Sequence, residues 1–466
     1  MPSLLLTRRR LIGCGLALSL IELPAGAEPA ADGFFALEAA PGRLRLLPEP
    51  AGQTPVFAFN GEVPGPLLRC KKGEELKIRL INKLEQPMSL MWPGLRIANA
   101  MDGVGGLTQK PVGPGESFDY RFTPPDSGLF AYRPGYLPFA AAQFSRGLYG
   151  ALIVEETDPP RVDRDMLAII ADWRLDDKGA IAKSFDTKEE ALGPGRGGGL
   201  LTVNSRPTPL TETMARGARV RLRLVSAMAA RIMSIAFEGV TPMILAVDGQ
   251  PADSAFEPVR GTIPVGPGAR FDVMFDLPPD ADKEARLVLR GDKEPDRDLL
   301  VFKTDAAAES AQTPAALAPI ASLPVNPLLP TRIRLETAKR LDILIEPSKE
   351  QGDKATEREL VFSVNGAPAA GFADKPLFTV KRGAAVSLGL VNRSNLTQSI
   401  HIRGHQARLL HDLDDGWEPY WRDNILIGPG KTKRIAFIAE APGKWAILSF
   451  IAGYEGAGLA TWFAVT

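Results

Sequence analysis

The three histidines of this 466-residue chain, His401, His405 and His411, all fall within one short segment. Imidazole nitrogens so placed could hold zinc or copper. If a strand carries them, His401 and His405 face one side and His411 lies near the turn beyond. The competing reading is ordinary hydrogen bonding, since one pair of imidazoles does not complete a coordination shell. Thiols are scarce: Cys14 and Cys70 are the only two, and Cys70 reads as a small strand residue and not as a reactive thiol. Met91 offers a soft sulfur, but Trp92 and Pro93 beside it point to packing. No nucleophile elbow, phosphate-cradling loop or carboxylate pair stands in its mechanical context, so metal-independent catalysis has no carrier.

Bulk properties narrow the field. Lys plus Arg and Asp plus Glu each total 55, so there is no basic field to draw a polyanion, and nucleic acid is not an expected partner. With 45% hydrophobic residues the chain can fill about three cores. It opens with a basic cluster at Arg8, Arg9 and Arg10, an apolar run from Leu11 to Ile21, and Ala25-Gly26-Ala27 as a small-x-small cleavage pattern. This predicts an export signal over residues 1–27, of twin-arginine type from Thr7-Arg8-Arg9-Arg10-Leu11-Ile12, and hence a periplasmic protein. The apolar run is shorter than the roughly 20 residues that span a bilayer, and no integral membrane segment is expected in the mature chain. Cleavage after Ala27 removes Arg8, Arg9, Arg10 and Glu22, leaving 52 basic and 54 acidic residues. Cys70 then stands alone, so no intramolecular disulfide can form and a monomer held by its cores is expected.

The elements that must position any site come in three copies. "NGEVPGPLLRCKKGEELKIRLIN" begins at Asn60, "VNSRPTPLTETMARGARVRLRLVS" at Val203, and "VNGAPAAGFADKPLFTVKRGAAVSLGLVN" at Val364. Each joins an Asn turn and a proline-containing loop to an alternating run such as Leu76-Lys77-Ile78-Arg79-Leu80, the pattern of a strand with one buried face. A Gly-Pro-Gly turn feeding a strand also recurs, at "VGPGESFDYRF" from Val112, "VGPGARFDVMF" from Val265 and "IGPGKTKRIAF" from Ile427. With 45 Gly, 41 Pro and little helical periodicity, these repeats predict an all-β chain of tandem antiparallel β-sandwiches. Domain one covers 28–158, domain two 159–303, an Ala/Pro-rich linker 304–331 and domain three 332–466; the linker is long enough to cross a neighbouring domain. "EEALGPGRGGG", residues 189–199, reads as a mobile surface loop.

With these phrases in place, the chain resembles the three-domain, laccase-like multicopper oxidases from about Phe35 to Thr466. The framework is carried by "NGEVPGPLLRCKKGEE", "MDGVGGLTQKPVGPGESFDYRF", "IIADWRL", "LAVDGQPA", "RDNILIGPG" and "APGKW". The resemblance implies three cupredoxin-like Greek-key sandwiches, a mononuclear copper in the last and a three-copper cluster between first and last. Its four ligand motifs break down here. His-Trp-His-Gly reads Met91-Trp92-Pro93-Gly94, and His-x-His after a Tyr reads Arg133-Pro134-Gly135. The third motif reads from Gln398 to His405, and His-Cys-His reads Leu448-Ser449-Phe450, followed by Tyr454 and Leu459. Of the family's ligands only His401 remains.

Copper needs a thiolate and imidazoles in the mononuclear site, which Ser449, Gln398 and Tyr454 do not supply. At the cluster positions Arg133 and Arg403 bring positive charge, while Leu448 and Phe450 have no lone pairs. The expectation is therefore that no cofactor is bound, that Leu448, Phe450, Tyr454 and Leu459 fill the former site as core, and that Arg133 and Arg403 meet at the joint of domains one and three. Each arginine then needs a carboxylate or carbonyl nearby, with Asp102 and Asp126 as candidates. The chain is similar to the copper-free, twin-arginine-exported members associated with the bacterial cell-division machinery, which implies a non-catalytic scaffold or binding protein with an envelope partner, the divisome among the candidates. Trp417, Tyr420 and Trp421 in "DDGWEPYWRDN" are candidate partner anchors, or a shield for the edge of the third core. The alternative is a copper-dependent oxidoreductase or copper-handling protein, the activity for which the family is named.

Overall fold

The computed structural model describes residues 32–183, 185, 187–305, 318–348, 360–411 and 416–466. The export signal expected over residues 1–27 lies outside them. The alternation seen in the sequence becomes facing: in strand Leu76–Asn82 the side chains of Ile78, Leu80 and Asn82 are buried and those between them are only partly so.

Among the described residues, strands form six sheets stacked in three pairs, as predicted. The first pair sets Thr54–Phe59, Phe35–Leu44, Leu76–Asn82 and Ser117–Phe122 against Leu68–Lys71, Gly150–Glu155, Gly128–Pro134 and Leu90–Met91. The second joins a seven-stranded sheet, centred on Arg219–Ser226 and Arg270–Asp276, to a five-stranded one that includes Met233–Glu238 and Glu284–Leu289. The third joins a six-stranded sheet ending at Trp417–Arg422 to a five-stranded sheet of Thr379–Val380, Ala460–Val465, Gly443–Ser449, Gln398–Ile402 and Asn424–Ile427. Parallel pairs depart from purely antiparallel sandwiches, among them Leu68–Lys71 beside Gly150–Glu155 and Leu210–Ala215 beside Arg297–Asp305. The opening strand of each unit runs parallel to a later one: Phe35–Leu44 beside Leu76–Asn82, Arg164–Trp173 beside Arg219–Ser226, and Lys339–Pro347 beside Ala385–Asn392.

The repeated Asn turn explains how that opening strand is held. Asn60, Asn204 and Asn365 all adopt left-handed backbone, with φ of 52°, 49° and 52°, a conformation that Asn tolerates better than most residues. Each side chain then clamps the opening strand. In the second unit Asn204 Oδ1 accepts from Ile169 N at 2.9 Å and Nδ2 donates to Leu167 O at 2.7 Å; Asn60 does the same for Glu38 N and Ala36 O. The sequence repeats because the fastening repeats.

Each unit has its own apolar core, and further clusters glue the units together. Leu129, Phe144 and Ile153 of the first pack on Leu167, Ile169 and Trp173 of the second. Cys70 is a buried member of the first core, and burial pushes its thiol up to about 12, far from reactive. The described part of the linker crosses its neighbours: Asn326 donates to Asp126 Oδ1 at 2.7 Å and Gln250 Oε1 at 2.8 Å, joining the first two units.

Segment 189–199 is not the free surface loop expected. Lys188–Leu192 is a short helix capped by Thr187, Arg196 is buried and donates to Ala182 O at 2.6 Å, and Gly193 O accepts from Tyr454 of the third unit. Gly195, at φ +82°, packs so closely that a Cβ there would lie 2.5 Å from Ala230 and 2.9 Å from Ile451. Glycine content signalled a need for tight approach, which composition alone does not distinguish from mobility.

Replacing Asn204 by Ala should destabilise the chain by about 2 kcal/mol, because it leaves Ile169 N and Leu167 O unpaired and strains the turn. Denaturant unfolding of Asn204→Ala against Asn204→Gly, which relieves only the strain, measures the two contributions.

Candidate functional site

A line of buried charges runs through all three units where they meet. Asp102, from the first, accepts from Arg403 Nη2 at 2.6 Å through Oδ1 and at 2.9 Å through its backbone carbonyl. Arg403 Nη1 lies 3.4 Å from His401 Nε2, and His401 Nδ1 lies 3.1 Å from Asp423 Oδ1. Asp423 Oδ2 accepts from Arg270 Nη2 of the second unit, while Arg270 N donates to Asp248 Oδ1 at 3.1 Å. Asp248 Oδ2 returns to the third unit by accepting from Asp423 N at 3.2 Å and Asn424 N at 3.1 Å. These six residues are all at most 2% exposed.

Local sequence puts them there. His401 lies on strand Gln398–Ile402, Arg403 just past its end, and Asp102 closes the short 3-10 turn Asn99–Met101. Gly94, at φ +88°, leaves room for the Arg270–Asp423 pair, since a Cβ there would lie 2.5 Å from Arg270 Nη2. His401 and His405 do not share a strand face: a turn at Gly404, φ +68°, separates them. His405 instead sits among Phe437, Trp445 and Phe463, with Nδ1 3.0 Å from Arg403 O. His411 lies farther on, beyond strand Ala407–Leu410.

Electrostatics follow from this burial. Burial, reinforced by the positive Arg403 and Arg270, pushes His401 down to about 4 despite Asp423, and burial does the same to His405. Nε2 of His401 faces a guanidinium donor, so the neutral ring carries its proton on Nδ1, toward Asp423. Burial raises the Asp423 carboxyl, but Arg270 and His401 outweigh that and hold it low. Asp248 moves the other way, raised by burial and by the charge of Asp423.

Beside this line, several positions that the resemblance assigns to ligands carry apolar groups. Met91, Leu448 and Phe450 join Val104, Leu137 and Ala446 in one cluster between the first and third units. Phe450 stacks on His401 at 4.1 Å and 18°. Arg133, paired in register with Met91, places its guanidinium 3.9 Å from the Phe144 ring and 4.8 Å from that of Phe450. Its Nε and Nη1 meet no hydrogen-bond acceptor among the described residues, and burial pushes it down to about 10. Cation–π contact, worth about 2 kcal/mol when desolvated, adds to the attraction of the buried Glu455 carboxylate, where Asp102 or Asp126 was expected. Asp126 is not its partner: that carboxylate accepts from Nε and Nη2 of Arg96, at 2.8 Å each. Pro93 is buried beside Trp92, and Gly135 packs against Gly103 O and Met91.

The positions that the resemblance assigns to the mononuclear site are equally closed. Ser449 Oγ accepts from Ile451 N at 3.1 Å and Ser449 N donates to Leu459 O at 2.9 Å. Gln398 Nε2 donates to Ser394 Oγ at 3.1 Å. Tyr454 and Leu459 lie in the third core. The aromatic edge is split. Tyr420 stacks on Phe256 of the second unit at 5.4 Å and 13°, Trp421 is buried under Arg408 at 4.6 Å, and Trp417 is half-buried. Sequence reasoning missed Arg270, Asp248 and Asp423; the framework phrases "LAVDGQPA", "VGPGARFDVMF" and "RDNILIGPG" contain them, and a charge inside an apolar framework was the available signal.

Two measurements test this geometry. Arg403→Leu or Asp102→Leu alone should cost about 3–5 kcal/mol by stranding a buried charge, whereas the double substitution should cost much less; denaturant unfolding of the cycle reads the coupling. His405 takes a proton near pH 6.5 when unfolded but only near pH 4 when folded. Its contribution is therefore fully present above pH 6.5 and is lost as pH falls toward 4. The native chain should lose up to roughly 3 kcal/mol more over that interval than His405→Phe, as measured by unfolding at each pH.

Two family models described as "Multicopper oxidase" match residues 45–159 and 339–466. Multicopper oxidase MmcO of Mycobacterium tuberculosis is 24% identical, over 98% of this chain and 96% of its own. The multi-copper oxidase structure from Pseudomonas thermotolerans is 30% identical with a TM-score of 0.81, covering 93% of this chain and 98% of the other. That from Pseudomonas parafulva is 28% identical with a TM-score of 0.80, covering 93% and 100%. These relatives imply copper, and they overturn the expectation that no cofactor belongs to this chain. The side chains at the positions the resemblance assigns do not fit the ion: Nε2 of His401 faces the Arg403 guanidinium, Arg133 and Arg403 add positive charge, and among the described residues no three His, Cys, Asp or Glu side chains gather as donors. Fold, full-length coverage and identity nonetheless agree, and the chain belongs to the multicopper oxidase family.

Proposed function

We propose that this member of the family serves as a non-catalytic binding or scaffold protein of the bacterial periplasm, exported by the twin-arginine route. In this reading the positions its relatives devote to copper have become the joint that holds three sandwiches together. The observation that carries it is the buried line from Asp102 through Arg403, His401, Asp423 and Arg270 to Asp248, flanked by Met91, Leu448 and Phe450. A guanidinium and two hydrocarbon groups where imidazoles would converge leave no electron-transfer chemistry for those positions. The partner is an envelope protein, and the cell-division machinery, to which the resemblance points, is the first to test. Trp417, half-buried at the edge of the third unit, is the aromatic anchor left accessible to it.

A second reading is favoured by the names of the relatives: a copper-dependent oxidoreductase or copper-handling protein, with the ion held by residues other than the inherited set. The two readings separate on one preparation. After copper loading and gel filtration, the purified chain is expected to show no intense blue absorption and no phenol oxidation. Several coppers per chain with dioxygen consumption would establish the second reading. Cross-linking in the envelope, with division proteins absent from the specific partners, would remove the division role.

A further inference from the structure

We infer that the crevice between the second and third units is a binding site for a single-chain anionic amphiphile, of the alkyl carboxylate class. The crevice encloses about 260 Å³. Its walls are Ile244, Ile263 and Phe271 from the second unit and Leu409 and Leu426 from the third, and the stacked rings of Phe256 and Tyr420 close one side. Protein interiors leave few voids of this size. An apolar cavity of ~150 Å³ stays dry and takes benzene, so this crevice has room for a longer hydrocarbon.

The polar lining selects the head group. On the strand Trp417–Arg422 alternate side chains share a face, which sets Glu418, Tyr420 and Arg422 toward the crevice. Lys433 lines it as well. Arg422 Nη2 reaches Glu418 Oε2 at 3.2 Å, but its Nε is buried and donates to no acceptor among the described residues. A carboxylate accepting from Arg422 would satisfy that donor while its chain lies along the aliphatic walls. An ammonium head, which has no acceptor, would leave it unsatisfied, and a neutral oxygen would accept more weakly than a carboxylate.

The mouth points the same way. Val259, which also lines the crevice, is 77% exposed, the most exposed large apolar side chain among the described residues. It is held there by a turn in which Arg260 takes a left-handed φ of 57°. Strain of this kind persists where the surroundings enforce it, and here it presents an apolar threshold to the crevice. The crevice uses none of the residues at inherited copper positions, so its test and the copper test succeed or fail separately.

Isothermal titration of the purified chain with decanoate, below its micelle concentration, reads the proposal. One equivalent should bind saturably, butyrate should bind at least about tenfold more weakly for want of buried chain, and decylammonium should give no saturable heat. Val259→Asp, an exposed change that leaves the fold intact, should weaken decanoate by about tenfold or more through like charge at the mouth, and Arg422→Gln should do so through loss of the head-group partner. Absence of saturable decanoate binding, equal binding of decylammonium, or an affinity unchanged in either variant would overturn it.

Discussion

The Arg403–Asp102 pair, extended through His401 to Asp423 and Arg270, is the interaction on which the joint of the three sandwiches depends. Each charge in it is buried, so each is tolerable only while its neighbour is present. Because the neighbours belong to different units, the third sandwich can dock only if the first supplies Asp102 and the second supplies Arg270. Apolar clusters add area, but they accept many relative positions. Directional polar contacts of 2.6–3.4 Å accept one.

The same logic recurs one layer out. Arg221 and Arg223, on the central strand of the second unit, read as the outward face of an alternating run, yet both are buried. The connector and neighbouring strand cover them, with Glu156 and Asp165 completing bonds of 2.5–2.9 Å beside Asp272. The chain thus builds its inter-unit seams from guanidinium–carboxylate geometry, whose planar bidentate contacts fix orientation as well as distance.

The sandwiches and the joint between them rest on different residues. Strand pairing, the Asn clamps and the Gly-Pro-Gly turns sustain the sandwiches, and the positions that the resemblance assigns to ligands lie on strand ends and loops at the joint. Changing the latter leaves the former intact provided the joint stays filled and its charges stay paired. Met91, Leu448 and Phe450 do the filling, and Asp102 does the pairing.

The sequence by itself determined the three-fold repeat, the sandwich class and the family, since alternation, turn residues and framework phrases are local and act through backbone geometry within a few residues. It also brought Arg403 and Asp102 into view as charges in need of partners. Tertiary structure alone decided which partners they took. Asp126 and Asp102 were equivalent as loop carboxylates; Arg96 claimed one and Arg403 the other. Arg133 found aromatic faces and the buried Glu455 in place of either expected aspartate, His401 and His405 parted at a single turn, and a glycine-rich segment proved to be a close-packed plug. These outcomes depend on distances between residues hundreds of positions apart, such as the 301 residues separating Asp102 from Arg403, which no local pattern encodes.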